Sequence, residues 1–242
     1  MLILAVDTST KAGSVAVLSD GALLGVRASC TTAPHVAGLF VDLQGLLEKL
    51  GISITAFELF AVAAGPGSFT GLRIGLTAVK AWAEAFSRPV VAVSSLEAIA
   101  FQAQRLRDLQ TGAAVAAVQD ARRGQVFGRV YNYIGGPLDP FEPLGEEVVL
   151  AAPEFVSLVA DLAGTRKPIF VSPAVAPIRD ALAGSALEGS RVEEVSGVLA
   201  PFIGDIGYAR ALRGEVVDAL HLDANYVRRT DAEVKWKDRS PA

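Results

Sequence analysis

Two short polar turns carry the residues best suited to chemistry, and each turn follows an apolar run. The first turn contains Asp7, Thr8, Ser9 and Thr10, and the second contains Asp120 and Arg122. The carboxylates are suited to acid–base work, whereas the hydroxyls, the backbone N–H groups and the guanidinium are suited to binding an anion. Aspartates also cap and shape turns, and this structural role is the simpler interpretation of both positions.

A third candidate is the glycine-rich segment 65–75, whose opening residues include Gly65, Gly67 and Ser68. An apolar run precedes it and a helical pattern follows, so we predict a strand–turn–helix corner with outward-facing backbone N–H groups. It is not a P-loop, because no lysine follows the glycines, and it does not fit the dinucleotide pattern, because Pro66 removes a donor. A tight structural turn is the alternative to an anion site.

The histidines and the cysteine do not suggest a metal or redox site. His35 and His221 lack the four-residue spacing with which two imidazoles on one helix face hold a metal. Cys30 is the only cysteine, so an internal disulfide is excluded and a reducing cytoplasm is favoured. We therefore expect no resident metal and a cytoplasmic location.

The composition favours a soluble protein with a large core. The chain has 242 residues, 51% of them hydrophobic, and a formal net charge of −4. Its apolar runs are shorter than the roughly 20 residues that a membrane span needs, and Asp7 ends the first run, which indicates a strand rather than a signal peptide. The negative charge argues against a protein that binds nucleic acid without a partner protein, because contacts to phosphate groups dominate the affinity for nucleic acid. The basic C-terminal residues fit a solvated tail.

The hydrophobic pattern predicts two α/β halves that meet near residue 104. In the first half we predict strands at 2–6, 14–18, 22–28, 59–64 and 89–93, and helices at 35–50, after the glycine segment as far as 86, and from the Ser94 cap onward. In the second half we predict strands at 113–118, 125–133, 147–150 and 169–171, and helices at 153–163, 174–183 and 202–213. Residues 184–197 are not assigned. The predicted domains are residues 1–104 and 105–242, the second less regular and ending in a closing helix and a tail.

Duplicated β-β-β-α-β-α halves resemble the actin, sugar kinase and Hsp70 superfamily, in which the opening aspartate turns of both halves face a nucleotide. Four segments together look like one family, TsaB (also called YeaZ): residues 4–10, 65–75, 120–127 and 226–229. The long glycine segment is specific and the other three are supportive. The resemblance implies an α/β protein with the duplicated actin-like/sugar kinase/Hsp70 (ASKHA) fold.

The TsaB family belongs to the bacterial machinery that makes N6-threonylcarbamoyladenosine at position 37 of tRNA. The resemblance implies a non-catalytic subunit that binds the catalytic relative TsaD, with a TsaE-like ATPase as a further partner and tRNA contact only within the complex. TsaD carries two metal-binding histidines, and Ser95 and Ile99 stand in their places here. No cofactor is expected. The first turn, the opening residues of the glycine segment, and Asp120 and Arg122 of the second turn are then a vestigial nucleotide or anion site, with at most weak affinity for ATP or ADP.

An enzyme is the alternative function. In that hypothesis an ATP-dependent phosphotransferase or hydrolase uses the cleft between the halves, with Asp7, Asp120 and Arg122 as its cleft residues. However, the second turn has bulky arginines where a phosphate loop has small residues. No glycine follows the strand at 169–171, where the superfamily holds adenine. These departures favour the non-catalytic subunit.

The predicted helix over residues 35–50 is the candidate partner surface. Opposite its apolar core stripe, or beside that opposite face, lie His35, Ala37, Gly38, Val41, Asp42 and Gly45. A glycine inside a helix costs about 1 kcal/mol relative to alanine, so two of them here suggest the close approach of another helix. The alternative is that the glycines are merely tolerated on an exposed face. We expect this face to dock the catalytic subunit, or a second copy of the chain when that partner is absent.

Overall fold

The structure, a computed structural model, describes residues 1–10, 13–28, 35–136 and 139–228, and of residues 35–37 only the backbone. It contains two mixed sheets, one in each half of the chain. Across these ranges no helix combines the length and the apolar character needed to cross a membrane.

The first sheet has five strands in the order β3-β2-β1-β4-β5. They are β1 (Leu2–Asp7), β2 (Ser14–Ser19), β3 (Ala22–Ala28), β4 (Leu59–Gly65) and β5 (Val90–Ser94). The first three strands form an antiparallel meander, and β4 and β5 run parallel to β1. Asp20 and Gly21 form the hairpin turn between β2 and β3, and both residues have the positive φ angles that a tight two-residue turn needs.

Helices cover one face of this sheet. They are α1 (His35–Leu50) and α2 (Phe69–Phe86), whose apolar stripes pack on the sheet residues Leu4, Val6, Phe60 and Val62. The short helix α3 (Ser95–Phe101) starts at the predicted cap, where the Ser94 hydroxyl accepts hydrogen bonds from Leu96 N and Glu97 N.

The second sheet has six strands, with the path β11-β10-β6-β7-β8 and β9 paired to β7. They are β6 (Ala114–Arg122), β7 (Gln125–Tyr133), β8 (Phe141–Pro143), β9 (Val148–Ala151), β10 (Ile169–Ser172) and β11 (Arg191–Glu194). Helices α4 (Ala152–Ala163) and α5 (Ala176–Leu182) bury Phe155, Val159 and Ile178 against this sheet. The unassigned segment 184–197 therefore contains the edge strand β11.

A shared core joins the halves, and the last helix, α6 (Ala200–Leu212), lies in it. This helix was predicted as part of the second domain, yet it packs on strands β1, β2 and β4 of the first sheet. A Cβ atom at Gly204 would lie 2.2 Å from a Leu18 methyl, and one at Gly207 would lie 2.7 Å from the Ala61 Cβ. The two glycines thus allow α6 to lie directly on the sheet. The domain boundary near residue 104 stays a prediction, while the duplicated α/β fold is confirmed.

Candidate functional site

The first turn packs directly on the glycine segment. Strands β1 and β4 are parallel neighbours, so both segments leave the sheet at the same edge. The Thr8 hydroxyl donates a hydrogen bond to the Gly71 carbonyl at 2.7 Å, and the Ser68 N–H donates to the Ser9 carbonyl at 2.8 Å. Ser68 also caps α2, since its hydroxyl accepts from the Gly71 N–H at 3.2 Å.

This close approach accounts for three of the glycines. A Cβ atom at Gly67 would lie 2.5 Å from the Ser9 carbonyl oxygen, and one at Gly71 would lie 2.0 Å from the Thr8 carbonyl oxygen. A Cβ atom at Gly75 would lie 2.3 Å from the Thr8 hydroxyl. Close packing within the chain therefore explains these glycines without a ligand, which supports the interpretation of the segment as a tight structural turn.

Asp7 is fully buried and shapes the first turn. Its Oδ1 accepts hydrogen bonds from the Ser9 N–H at 2.8 Å and from the Ser9 hydroxyl at 2.6 Å. Its Oδ2 has no hydrogen-bond partner among the described residues. Burial raises the pKa of Asp7 to about 6, against the opposing effect of the Ser9 hydrogen bonds. A small pocket beside it is lined by Asp7, Thr8, Gly13, Ser14, Val15, Leu39 and Asp42.

Asp120 shapes the second turn in the same way. Its Oδ1 accepts a hydrogen bond from the Arg122 N–H at 2.7 Å, and its Oδ2 lies 3.5 Å from the Arg122 Nη1. Arg122, Arg123 and Gly124 follow at the tip of the β6–β7 hairpin, where all three are exposed. Both opening aspartates thus hold their own turns, as the simpler interpretation expected.

The C-terminal segment 222–228, which we call the strap, runs across the cleft between the halves. The Asn225 N–H donates a hydrogen bond to the Ala64 carbonyl at 2.7 Å. A Cβ atom at Gly65 would lie only 2.4 Å from the Asn225 carbonyl oxygen. Gly65 also has a φ of +123°, which other residues rarely adopt. Gly65 therefore admits the strap, so a fourth glycine of the motif also has a role within the chain.

The next residues of the strap connect the glycine segment to the second turn. The Tyr226 ring packs on Phe69 with 5.0 Å between centroids, and its hydroxyl accepts from the Arg73 Nε at 3.3 Å. Two residues later, the Arg228 Nη1 donates to the Ala121 carbonyl at 2.8 Å. The strap thus connects the glycine segment, on which the first turn packs, to the second turn. The sequence contained its Tyr-Val-Arg-Arg motif but not this packing.

A buried polar cluster lies beneath the strap, and sequence reasoning missed its central residue, Glu147. The Glu147 carboxylate accepts hydrogen bonds from the Ser94 hydroxyl and, at 2.5 Å, from the Asn225 amide, and it lies 3.8 Å from the Arg129 Nη1. Burial raises the pKa of Glu147 despite these partners, and it also raises the pKa of Tyr131, whose hydroxyl has no partner among the described residues. The cluster joins β5, the residues before β9 and the strap.

The two positions singled out by the family resemblance, Ser95 and Ile99, lie in the core. Ser95 and Ile99 are both fully buried, and the Ser95 hydroxyl has no hydrogen-bond partner in the described part of the chain. Three or more His, Cys, Asp or Glu side chains do not come together as a metal-binding group anywhere in that part. His221 is exposed, with its Nδ1 2.7 Å from Asp218.

Helix α1 differs from the expected partner face at its glycines. Gly38 is buried, so it does not lie on an open face. At Gly45 a Cβ atom would lie 1.8 Å from the Arg27 Nη1, and the Arg27 Nε lies 3.7 Å from Asp42. Gly45 and Asp42 therefore accommodate a side chain of β3, which corrects the expectation that both are open to a partner helix.

Among the exposed residues of α1, two are large and apolar, while Gln44, Glu48 and Lys49 are polar. Phe40 is 48% exposed and Val41 is 63% exposed, and Phe40 packs edge-on against Trp82 of α2. The side chains of His35 and Ala37 lie outside the described residues. The interface residues remain a prediction, and the structure points to Phe40 and Val41 as the groups that a partner would cover.

Comparisons with known proteins agree with this architecture. A family model described as "TsaD: tRNA N6-adenosine threonylcarbamoyltransferase" matches residues 23–176. The tRNA threonylcarbamoyladenosine biosynthesis protein TsaB of Bacillus subtilis is 29% identical over an alignment of 245 residues that covers 98% of each chain. The Escherichia coli protein of the same name is 38% identical over 135 residues, 54% of this chain and 55% of that protein.

The structure of YeaZ from Pseudomonas aeruginosa is also similar. It superposes with a TM-score of 0.76 at 29% identity, over 93% of this chain and 99% of that one. The family model covers more than half of the chain. The chain therefore belongs to the TsaB (YeaZ) family, within the larger family that the TsaD model describes.

Proposed function

We propose that this chain is a non-catalytic subunit of the machinery that makes N6-threonylcarbamoyladenosine in tRNA, and that it binds and supports a TsaD-like catalytic subunit. The names of its relatives and the matching TsaD model support the pathway. The observation that carries the non-catalytic role is the internal use of the glycine segment. The chain's own first turn and strap occupy the space into which side chains at Gly65, Gly67 and Gly71 would project, so the glycines serve contacts within the chain.

The same contacts argue against the alternative of an ATP-dependent enzyme. The superfamily resemblance places phosphates between the two opening turns, and here the strap crosses that region. Asp7 Oδ1 already accepts two hydrogen bonds, and Asp120 holds the backbone and guanidinium of Arg122. Nucleotide binding would require the strap to leave, with loss of its contacts to Ala64, Glu147 and Ala121. We therefore propose no cofactor.

The proposed partner surface is the apolar part of α1. Exposed aromatic and aliphatic groups next to each other gain free energy when a partner removes them from water. Phe40 and Val41 form such a group. We propose that this surface docks the TsaD-like subunit, that a second copy covers it when the partner is absent, and that a TsaE-like ATPase joins the complex. Contact with tRNA then occurs within the complex, in the bacterial cytoplasm.

Titration of the purified chain with the TsaD-like protein of the same bacterium tests this proposal. We expect a stable complex, and we expect Val41→Asp to weaken it roughly tenfold or more, because a charge without a partner is costly at an interface core. Val216→Asp is the matched control, since Val216 is exposed in the segment after α6. Failure of the wild-type chain to bind would contradict the proposal. ATP hydrolysis by the lone chain that Asp7→Asn abolishes would instead support the enzyme.

A further inference from the structure

The tip of the β6–β7 hairpin holds two arginines in a conformation that arginine disfavours. Arg122, Arg123 and Gly124 have φ angles of +66°, +56° and +72°. Glycine adopts this left-handed region freely, whereas in other L-residues the Cβ atom crowds the backbone. Asparagine and glycine are the residues that tight hairpins favour at such positions. The turn geometry therefore disfavours arginine at both positions, and although Arg122 contacts Asp120, both residues are exposed to a partner outside the chain.

The strap adds two further arginines close to this hairpin. Arg228 lies against it through the Ala121 carbonyl and the Gln125 side chain. Arg73 donates to the Tyr226 hydroxyl. Tyr226 and Arg228 are two residues apart, and two residues of extended chain span at most about 7 Å, so the backbone positions of Tyr226 and Arg228 are close together. We call the set Arg73, Arg122, Arg123 and Arg228 the arginine surface.

Aromatic rings are part of this surface. The Arg73 guanidinium stacks over Phe69 at 3.9 Å from the ring centroid, and Tyr226 packs on the same ring while remaining 44% exposed. Both rings lie at the N-terminus of the 18-residue helix α2, whose dipole favours an anion. The carboxylates nearby are partly occupied: Asp120 faces Arg122, and Glu147 is bound under the strap. The four arginines thus form a cationic cluster in a chain whose net charge is −4.

Guanidinium groups match phosphate oxygens in geometry, and exposed aromatic rings beside them are typical of surfaces that bind RNA strands. Exposed tyrosine and arginine also occur at protein interfaces, so an acidic protein segment is the alternative that the experiment below separates. We propose that the arginine surface contacts the phosphate backbone of tRNA when the chain is assembled with its TsaD-like partner. This inference rests on the proposed function, and it assigns to the non-catalytic subunit a direct part in holding the RNA.

The test uses the assembled complex and an unmodified tRNA transcript with adenosine at position 37. The variant Arg122→Asn with Arg123→Gly removes two cations and introduces residues that suit the turn. We expect its melting temperature to equal or exceed that of the wild-type chain, and its binding to the TsaD-like subunit to be unchanged. Affinity for tRNA should fall roughly 10- to 30-fold near 0.15 M salt, and the slope of log K against log salt should decrease by about 1.5–2.

The matched control is Arg107→Asn with Arg179→Asn, which removes the same charge from two exposed positions elsewhere. It should leave tRNA affinity and its salt dependence close to those of the wild type. If the hairpin variant binds tRNA as tightly as this control, the inference is wrong while the proposed function stands. If the variant instead loses the TsaD-like subunit, the surface serves a protein partner and the RNA assignment is overturned. If the wild-type complex does not form, the proposed function itself fails.

Discussion

Gly71 shows why a glycine-rich motif is not by itself a ligand site. The position where its Cβ would lie is occupied by the Thr8 carbonyl oxygen, a backbone atom that cannot move aside as a flexible side chain can. The same turn buries Asp7, which gives one oxygen to Ser9 and keeps the other without a partner in the described part of the chain. The packing of the first turn on the glycine segment therefore accounts for the glycine at position 71 and for the burial of Asp7.

Gly71→Ala should destabilise the chain by about 1–3 kcal/mol, because overpacking against backbone outweighs the better helix propensity of alanine. Gly197→Ala is the control, since its nearest contact beyond the adjacent residues is the Pro173 Cβ at an ordinary 3.6 Å. Chemical denaturation of both variants would measure the difference. Equal stability of the two variants would show that the first turn can move away from α2. The contact with the first turn would then not explain the glycine, and a ligand site would again be an explanation of the motif.

The roles of individual residues were predictable where a short local pattern determines them. Asp7 and Asp120 were expected to shape their turns, and both accept backbone hydrogen bonds from residues two positions later. Glu147 and Asn225 were not expected in the site, because their contact joins residues 78 positions apart. No periodicity or motif in the sequence indicates such a pairing.

Secondary-structure elements with strong hydrophobic patterns were predicted closely, and the strap was not. The strands from β1 to β7 and the helix α1 follow apolar runs or stripes, so their existence and approximate bounds were predictable. Strand β11 consists largely of charged residues at a sheet edge, and β8 has only three residues, so neither shows a pattern. The strap lacks regular structure, yet its hydrogen bonds reach strands of both sheets.

Two leucines beside the strap test how firmly it is anchored. Leu222 is fully buried in the first-half core, whereas Leu220 is 83% exposed two residues earlier. Leu222→Ala should destabilise the chain by about 2–5 kcal/mol and should increase hydrogen exchange at the Asn225 N–H, because the anchor of the segment is lost. Leu220→Ala should change both quantities little. Similar effects of the two substitutions would show that the strap does not depend on this anchor.

Several independent contacts join the two halves of the molecule. Helix α6 lies in the shared core, Gln102 and Ser196 exchange two hydrogen bonds at 2.9 and 3.0 Å, and Glu147 connects Ser94 to Asn225. Domain closure around a nucleotide needs a hinge with few contacts across it. A molecule held in this way is suited to presenting fixed surfaces, namely α1 toward one partner and the arginine surface toward another.

This arrangement predicts that ATP leaves the isolated chain unchanged. X-ray scattering should give the same radius of gyration with and without ATP and Mg²⁺, because strap, core and polar cluster hold the halves at one distance. Calorimetry on the same sample should show no binding, since the space beside the glycine segment is filled by the chain itself. A variant with Asn225→Ala and Tyr226→Ala loosens the strap and shows whether the strap alone prevents ATP from binding. ATP-dependent compaction of the wild-type chain would mean that the strap opens readily and that the cleft is a working nucleotide site.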